Sequence, residues 1–317
     1  MFNPRAAALC ALLFATPAMA DVPRVVTDIA PVHGLVSKVM QGLGTPHLIV
    51  RPGASPHDHD LRPSDAGALQ SADAVFWIGT ALTPQLESRI ETLAGSAVSV
   101  QLLNLPGTET LAFRLGATFG PDDHGHDADT PAPGTAPDHD HDHDHDQSGT
   151  DPHAFLSPDN ARLWLGEIAS TLSGLDPENA AIYVANAAAG QAEIDTVVAE
   201  IEPTLAALSD VRYVVFHDAY QYFERRFGLA PIGAINLSDA SDPSPTRLDA
   251  MRAATKGQNV VCAFSEPQFN PGLIAAVFGG TDTKTAVLDP LGTAIPIGPG
   301  FYPALLRDLA QGMADCL

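Results

Sequence analysis

From Arg24 onward the chain alternates short runs rich in β-branched and aromatic residues with longer stretches whose apolar positions recur at helical spacing. That alternation predicts an α/β fold with mostly parallel strands. In the first half the strand-like runs are 25–27, 47–50, 74–78 and 98–102, with helical patterns near 33–40, 63–71 and 84–93 between them. Order resumes at Asp151, and Ser157-Pro158-Asp159 reads as a helix start, with serine as cap and proline in the first turn. Asp176-Pro177-Glu178 opens another helix, whose apolar positions Tyr183, Ala187, Ile194, Val197 and Ile201 keep helical spacing until Pro203, which should end or kink it. Some 26 residues at 1.5 Å each give about 39 Å, longer than a small lobe is wide, so this helix is expected to join two lobes. A second α/β half follows, with strands near 213–216, 231–234, 260–264 and 285–288. The expected architecture is therefore two Rossmann-like α/β lobes, each a mostly parallel sheet flanked by helices. The first spans 21–175, a linking helix 176–206 and the second lobe 207–317.

Composition changes this picture at one place. Residues 121–150 interrupt the first lobe with an alternation of histidine and aspartate that ends in His139-Asp140-His141-Asp142-His143-Asp144-His145-Asp146. Between 122 and 146 there is no aromatic or β-branched aliphatic residue and no lysine or arginine, so the segment cannot bury enough apolar surface to fold and is expected to be a solvated loop. It carries six of the chain's twelve histidines: His124, His126, His139, His141, His143 and His145. Imidazole suits zinc, copper and nickel, and aspartate concentrates cations nearby. A plain acidic linker has no reason to place histidine at every second position, so the segment reads as a cation collector.

Charge and leader sequence set the compartment. The formal net charge is −22, and removing the nine aspartates of 121–150 still leaves −13. Nucleic acid and anionic membrane surfaces are poor partners for such a chain, and cations good ones. Met1-Phe2-Asn3-Pro4-Arg5, an apolar run over 6–15 and Ala18-Met19-Ala20 before Asp21 form a secretory signal peptide, with cleavage expected after Ala20. Its apolar core is too short to span a bilayer and no later run approaches the needed length, so a soluble periplasmic protein without a stable membrane anchor, and a monomer, is expected. Cys10 belongs to that leader, which leaves Cys262 and Cys316. In an oxidising compartment such a distant pair reads as a disulfide, worth about 4 kcal/mol by chain entropy.

Three further histidines stand where ligands collect in open α/β sheets, at the C-terminal ends of predicted strands or just ahead of a helix. His57 follows the strand at 47–50, His217 ends the strand at 213–216, and His153 precedes the helix that begins at Ser157. Two come from the first lobe and one from the second, which places a cation in the interlobe cleft. Each histidine alone reads more readily as a surface or hydrogen-bonded loop residue, and Asp58 and Asp218 beside them as solvated charges. The combination is what points to a metal.

Five segments carry a resemblance. These are His57 with Leu61-Arg62-Pro63-Ser64-Asp65, Asp151-Pro152-His153-Ala154-Phe155-Leu156-Ser157-Pro158, Phe216-His217-Asp218-Ala219-Tyr220-Gln221-Tyr222-Phe223, Phe264-Ser265-Glu266-Pro267-Gln268-Phe269 and Leu288-Asp289-Pro290-Leu291-Gly292. Together they resemble the periplasmic zinc-binding proteins of bacterial ABC-type zinc uptake systems, the ZnuA type, over nearly the whole chain after the leader. The resemblance implies Zn2+ as transported ligand, held by His57, His153 and His217, and a C-terminal disulfide between Cys262 and Cys316. It also implies an ABC permease and its ATPase as partners. Manganese-specific relatives usually have glutamate in place of His217, and a third imidazole in place of a hard oxygen ligand favours zinc. A histidine- and acid-rich loop is a mark of the zinc branch. One departure is Pro56, where some members carry a glutamate that completes the metal shell. Water, Asp289 or a loop histidine are then the candidates for the fourth ligand. His59 is an alternative first ligand, but His57 has the family's spacing to Leu61-Arg62-Pro63-Ser64.

The function expected is capture of periplasmic Zn2+ and its delivery to an importer, with the tract as accessory collector. A manganese carrier or a metal buffer are the alternatives within the same family. A zinc-dependent hydrolase is the competing class, because three histidines with an open position also make a hydrolytic zinc site. Against an enzyme, the chain has no His-Glu-x-x-His helix, and His57-Asp58-His59 lacks the remaining partners of a two-metal hydrolase. Neither Gly-x-Gly-x-x-Gly nor a phosphate-binding Gly-Lys-Ser/Thr loop occurs. Glu266 is the obvious spare carboxylate for a base, and reads more readily as a helix-start or salt-bridge residue.

Overall fold

Strands buried on both faces need apolar residues at consecutive positions, and the central strands here have them. The computed structural model describes residues 21–114, 118–119, 149–236, 243–270 and 272–317. In the first lobe β1 (Val25–Thr27), β2 (His47–Leu48), β3 (Ala74–Trp77) and β4 (Val98–Gln101) form a parallel sheet in the order β2-β1-β3-β4. In the second, β5 (Tyr213–His217), β6 (Gly233–Asn236), β7 (Cys262–Ser265) and β8 (Lys284–Val287) form a parallel sheet in the order β6-β5-β7-β8. Every residue of β1, β3 and β5 is buried. Alternate residues of β5 feed different packing groups. Tyr213 and Val215 join the main core, while Val214 and Phe216 join a smaller cluster with Met251, Ile274 and Phe278.

The crossovers are helices: α1 (Ala30–Val39), α2 (Pro63–Gln70) and α3 (Pro84–Leu93) in the first lobe, then α4 (Pro158–Leu175) and α5 (Ala180–Ala206). The second lobe has α6 (Gln221–Phe227), α7 (Pro245–Thr255), α8 (Gly272–Phe278) and α9 (Phe301–Cys316). Proline opens α2, α3, α4 and α7, where its missing N–H costs nothing, and the Ser157 and Ser244 hydroxyls accept from Asn160 and Arg247 N–H at the starts of α4 and α7.

The long α5 packs on α1 and α4 from the first lobe and on α9 from the second, and buries Tyr183, Ala187, Ile194, Val197 and Ile201 as their spacing predicts. Gly190 is the close-approach point: a Cβ there would lie 2.9 Å from Lys38 Cγ and 3.0 Å from Leu165 Cδ1. Pro203 does not end this helix, which continues to Ala206. Proline removes one N–H from the ladder, and one turn before the end the packing of Ile201 and Leu205, both buried, carries the backbone past it. β6 begins at Gly233, two residues later than the apolar run, because Pro231 has no N–H for a ladder. The Cys262–Cys316 disulfide ties β7 to the end of α9.

One short stretch of the first half reaches the second lobe. Ala112 bridges antiparallel to Thr150, and beyond it Thr118 bridges Gly233 at the start of the outer strand β6. Phe119 N–H donates to Ile232 O (2.7 Å). Residues 1–20, read from the sequence as a signal peptide, and the histidines of the tract lie outside the described residues. Among the described residues no helix is long and apolar enough to cross a membrane.

Candidate metal centre

His217 is the last residue of β5 and is buried. The parallel register sets Val215 opposite Phe264, so two residues further on His217 lies beside Glu266. Glu266 is buried, its Oε1 lies 2.9 Å from His217 Nδ1, and its Oε2 accepts from Gln268 Nε2 (2.8 Å). Phe269 stacks on Phe216 and meets the His217 ring edge-on, fixing the ring plane.

His153 opens a short 3-10 turn, His153–Leu156, ahead of α4, and is buried. Asp151 Oδ1 accepts from His153 N–H (2.9 Å) and lies 2.7 Å from its Nδ1. Burial pushes the Asp151 carboxyl up to about 7, against the pull of the His153 N–H and of the positive charge of Arg114. A cation between the imidazoles favours the ionised form further. The backbone of this segment is clasped from the second lobe: Tyr222 donates to Asp151 O (2.8 Å) and Tyr302 to Phe155 O (2.8 Å).

His57 lies on the loop between β2 and α2, half-buried, with its N–H donating to Ser55 Oγ (3.1 Å). Gln85 of α3 anchors that loop by donating to Pro56 O (3.2 Å). The His57 ring centre is 5.7 Å from that of His153.

One nitrogen from each of His57, His153 and His217 falls within 4.8 Å of the other two. The Nε2 atoms of His153 and His217 are 3.2 Å apart. Where each Nδ1 donates to its carboxylate, each Nε2 can act only as an acceptor or a ligand. Two lone pairs aimed at one another call for a proton or a metal ion between the rings. Tetrahedral zinc with bonds of 2.0–2.1 Å sets its ligand nitrogens about 3.3 Å apart, close to the spacing found.

The family model "Zinc-uptake complex component A periplasmic", ZnuA, matches residues 25–316. The chain belongs to the ZnuA family. A ZnuA protein named as a high-affinity zinc uptake system protein, from Paracoccus denitrificans (strain Pd 1222), is 47% identical over 323 residues, covering 100% of this chain and 99% of its own. The protein of the same name from Brucella abortus (strain 2308) is 43% identical over 304 residues, covering 92% and 91%. Among solved structures, the periplasmic zinc-binding protein TroA from Treponema pallidum aligns with TM-score 0.74 at 19% identity, over 93% of this chain and 98% of its own. At that identity it speaks for the fold alone: two parallel-sheet α/β lobes with a long joining helix.

The other residues singled out in this ZnuA family member are placed differently. Asp289 is not one of the clustered groups. Its Oδ1 accepts from Leu291 and Gly292 N–H (both 3.0 Å) and its Oδ2 from Thr293 N–H (2.5 Å). His59 is likewise outside the cluster, facing Ile49, Leu61, Thr83 and Leu86, and burial holds its ring below the ordinary imidazole pKa. Asp58 is exposed, whereas Asp218 is buried and bonded by Arg114 rather than by a histidine. Sequence reasoning missed Asp151 as the partner of His153, although an aspartate two residues before a histidine is a usable signal. It also missed Glu266 as the partner of His217, which only the β5–β7 register reveals.

Proposed function

We propose that this chain captures Zn2+ in the periplasm, holds it between its lobes with His57, His153 and His217, and delivers it to an ABC permease driven by an ATPase. The observation that carries this reading is the pair of carboxylate-oriented imidazoles with Nε2 atoms 3.2 Å apart, one from each lobe. Carboxylate–imidazole–metal chains raise ligand basicity and fix the tautomer. A third imidazole in place of an oxygen ligand favours zinc over manganese. We assign the fourth place to water, since Asp289 is not among the side chains that cluster with the three histidines.

The chain is read as a carrier rather than an enzyme, exported by the leader that ends at Ala20. The tract 122–146, outside the described residues, acts in this reading as a weak multivalent collector that raises local zinc near the cleft. Fixing a chain segment around an ion costs entropy, so its sites bind loosely in this reading. Affinity of the cleft falls as pH drops toward the unperturbed histidine value of about 6.5, because protonated imidazole cannot ligate.

The test is a competitive zinc and manganese titration of the metal-stripped protein beside a variant lacking 122–146. One tight zinc site in both, with extra weak sites in the full chain alone, is the expected result. A tight site that vanishes with the tract, or that prefers manganese, overturns the reading.

A further inference from the structure

The root of the histidine- and aspartate-rich tract crosses from one lobe to the other at Arg114. Its Nε lies 3.1 Å from each Asp218 carboxylate oxygen, its Nη2 bonds Asp218 Oδ1, and the same Nη2 is 2.9 Å from Glu224 Oε2. Asp218 and Glu224 are both buried, and Tyr213 donates to Glu224 Oε1 (3.1 Å). The guanidinium also lies 3.9 Å above the centre of the Phe119 ring. A planar fork of donors set between two carboxylates is a task for arginine and not for lysine, whose point charge cannot span both.

This stretch touches the supports of two cleft histidines at once. Asp218 directly follows His217. Two residues before Arg114, Ala112 bridges Thr150, and Asp151 N–H donates to Leu111 O (2.8 Å). Gln221 at the start of α6, with its amide nitrogen turned to the acceptors, donates to Ala112 O (3.1 Å) and to Asp151 Oδ2 (3.0 Å). Asp151 in turn orients His153.

We propose that Arg114 is a positioning residue of the metal site: by pinning this strap onto Asp218 and Glu224 it fixes His153 against His217 across the lobes, and so slows release of the ion held between them. Arg114 touches none of the three histidines and acts through Asp218 and the strap that carries Asp151. Without the guanidinium two buried carboxylates lose the cation that bonds them both, which loosens the chain just after His217. The inference rests on the zinc-capture reading.

The experiment loads the full chain with one equivalent of zinc and follows its release into excess chelator by stopped flow. Wild type, Arg114→Met, Arg114→Lys, the double variant Arg114→Met/Asp218→Asn and His217→Ala are compared, with urea midpoints of the metal-free forms measured alongside. Arg114→Met is expected to release zinc about 10- to 100-fold faster, the usual cost of losing a residue that supports a metal ligand, with Arg114→Lys in between. A folded Arg114→Met that releases zinc at the wild-type rate, whatever its urea midpoint, overturns the proposal. Should Arg114→Met fail to fold, the double variant removes one of the two carboxylates left without the guanidinium, and its release rate decides in the same way. If wild type holds no ion that His217→Ala loses, the zinc-capture reading falls and takes this inference with it. A wild type that holds the ion and an unchanged Arg114→Met sinks this inference alone.

Discussion

The two sheets share one strand order, yet they use the same topological position for different purposes. In both lobes the strand that comes first in the chain stands second in the sheet, and its C-terminal end faces the crevice where open α/β sheets gather ligands. In the first lobe that end carries Asp28, whose oxygens accept Ile29 and Ile78 N–H (both 2.8 Å), so the carboxyl laces β1 to the end of β3. In the second lobe it carries His217, and the neighbouring strand supplies Glu266 to orient the ring. One lobe closes on itself there, and the other offers an imidazole outward. The first lobe's own histidines arrive instead on the β2–α2 loop and on the turn before α4. In the proposed reading the cleft draws one imidazole from a strand end and two from first-lobe segments, of which only the turn carrying His153 is clasped from the second lobe.

The largest expected effect breaks the binding side of the comparison. His217→Ala removes the strand-borne ligand and should abolish tight zinc binding in a competition titration while leaving a cooperative urea transition. Next comes a stability difference between the lobes, since the Cys262–Cys316 disulfide lies wholly in the second. Replacing both Cys262 and Cys316 by serine should lower unfolding free energy by about 4 kcal/mol from chain entropy alone, seen as a lower urea midpoint with no change in zinc stoichiometry. Glu266→Gln keeps the shape but removes the charge behind His217, and zinc affinity should fall about 10- to 100-fold at neutral pH by calorimetry. The effect smallest at any one pH step lies on the bracing side. Burial pushes Asp28 up to about 7, against the backbone N–H groups that favour its charged form. The folded protein therefore binds that proton more tightly than the unfolded chain, so its contribution to stability is complete below about pH 4 and lost as pH rises through about 7. Wild type should lose up to about 1.4 kcal/mol per pH unit relative to Asp28→Asn across that window. Equal pH slopes in urea titrations would remove Asp28 as a titrating brace.

Much of the fold was legible because parallel strands buried on both faces leave continuous apolar runs, as Tyr213 to Phe216 do, and because α5 keeps helical spacing over its whole buried face. The three histidines were legible from their places after strands and before a helix, and from the segments around them. What supports them was not. Glu266 reaches His217 from 49 residues away and Arg114 reaches Asp218 from 104, and no local pattern reports a register or an ion pair across such distances. Asp289 is a candidate ligand by sequence, and the three N–H groups of the following turn that its carboxylate accepts become visible only in the fold. Of the two readings of Pro203, an end or a kink, the end is excluded because packing on both sides of it overrides a local rule.

The bridge between Thr118 and Gly233 bears on how this molecule can be cut. β6 is an outer strand, and the last described residues before the tract cover the start of its open side. An uncovered outer strand invites pairing with a second copy, the first step toward aggregation. A deletion confined to 122–146 leaves that cover in place. One that reaches back to Thr118 exposes hydrogen-bonding groups of Ile232 and Gly233, so two shortened proteins differing by a few residues at one end should differ sharply in how long they stay dispersed on storage.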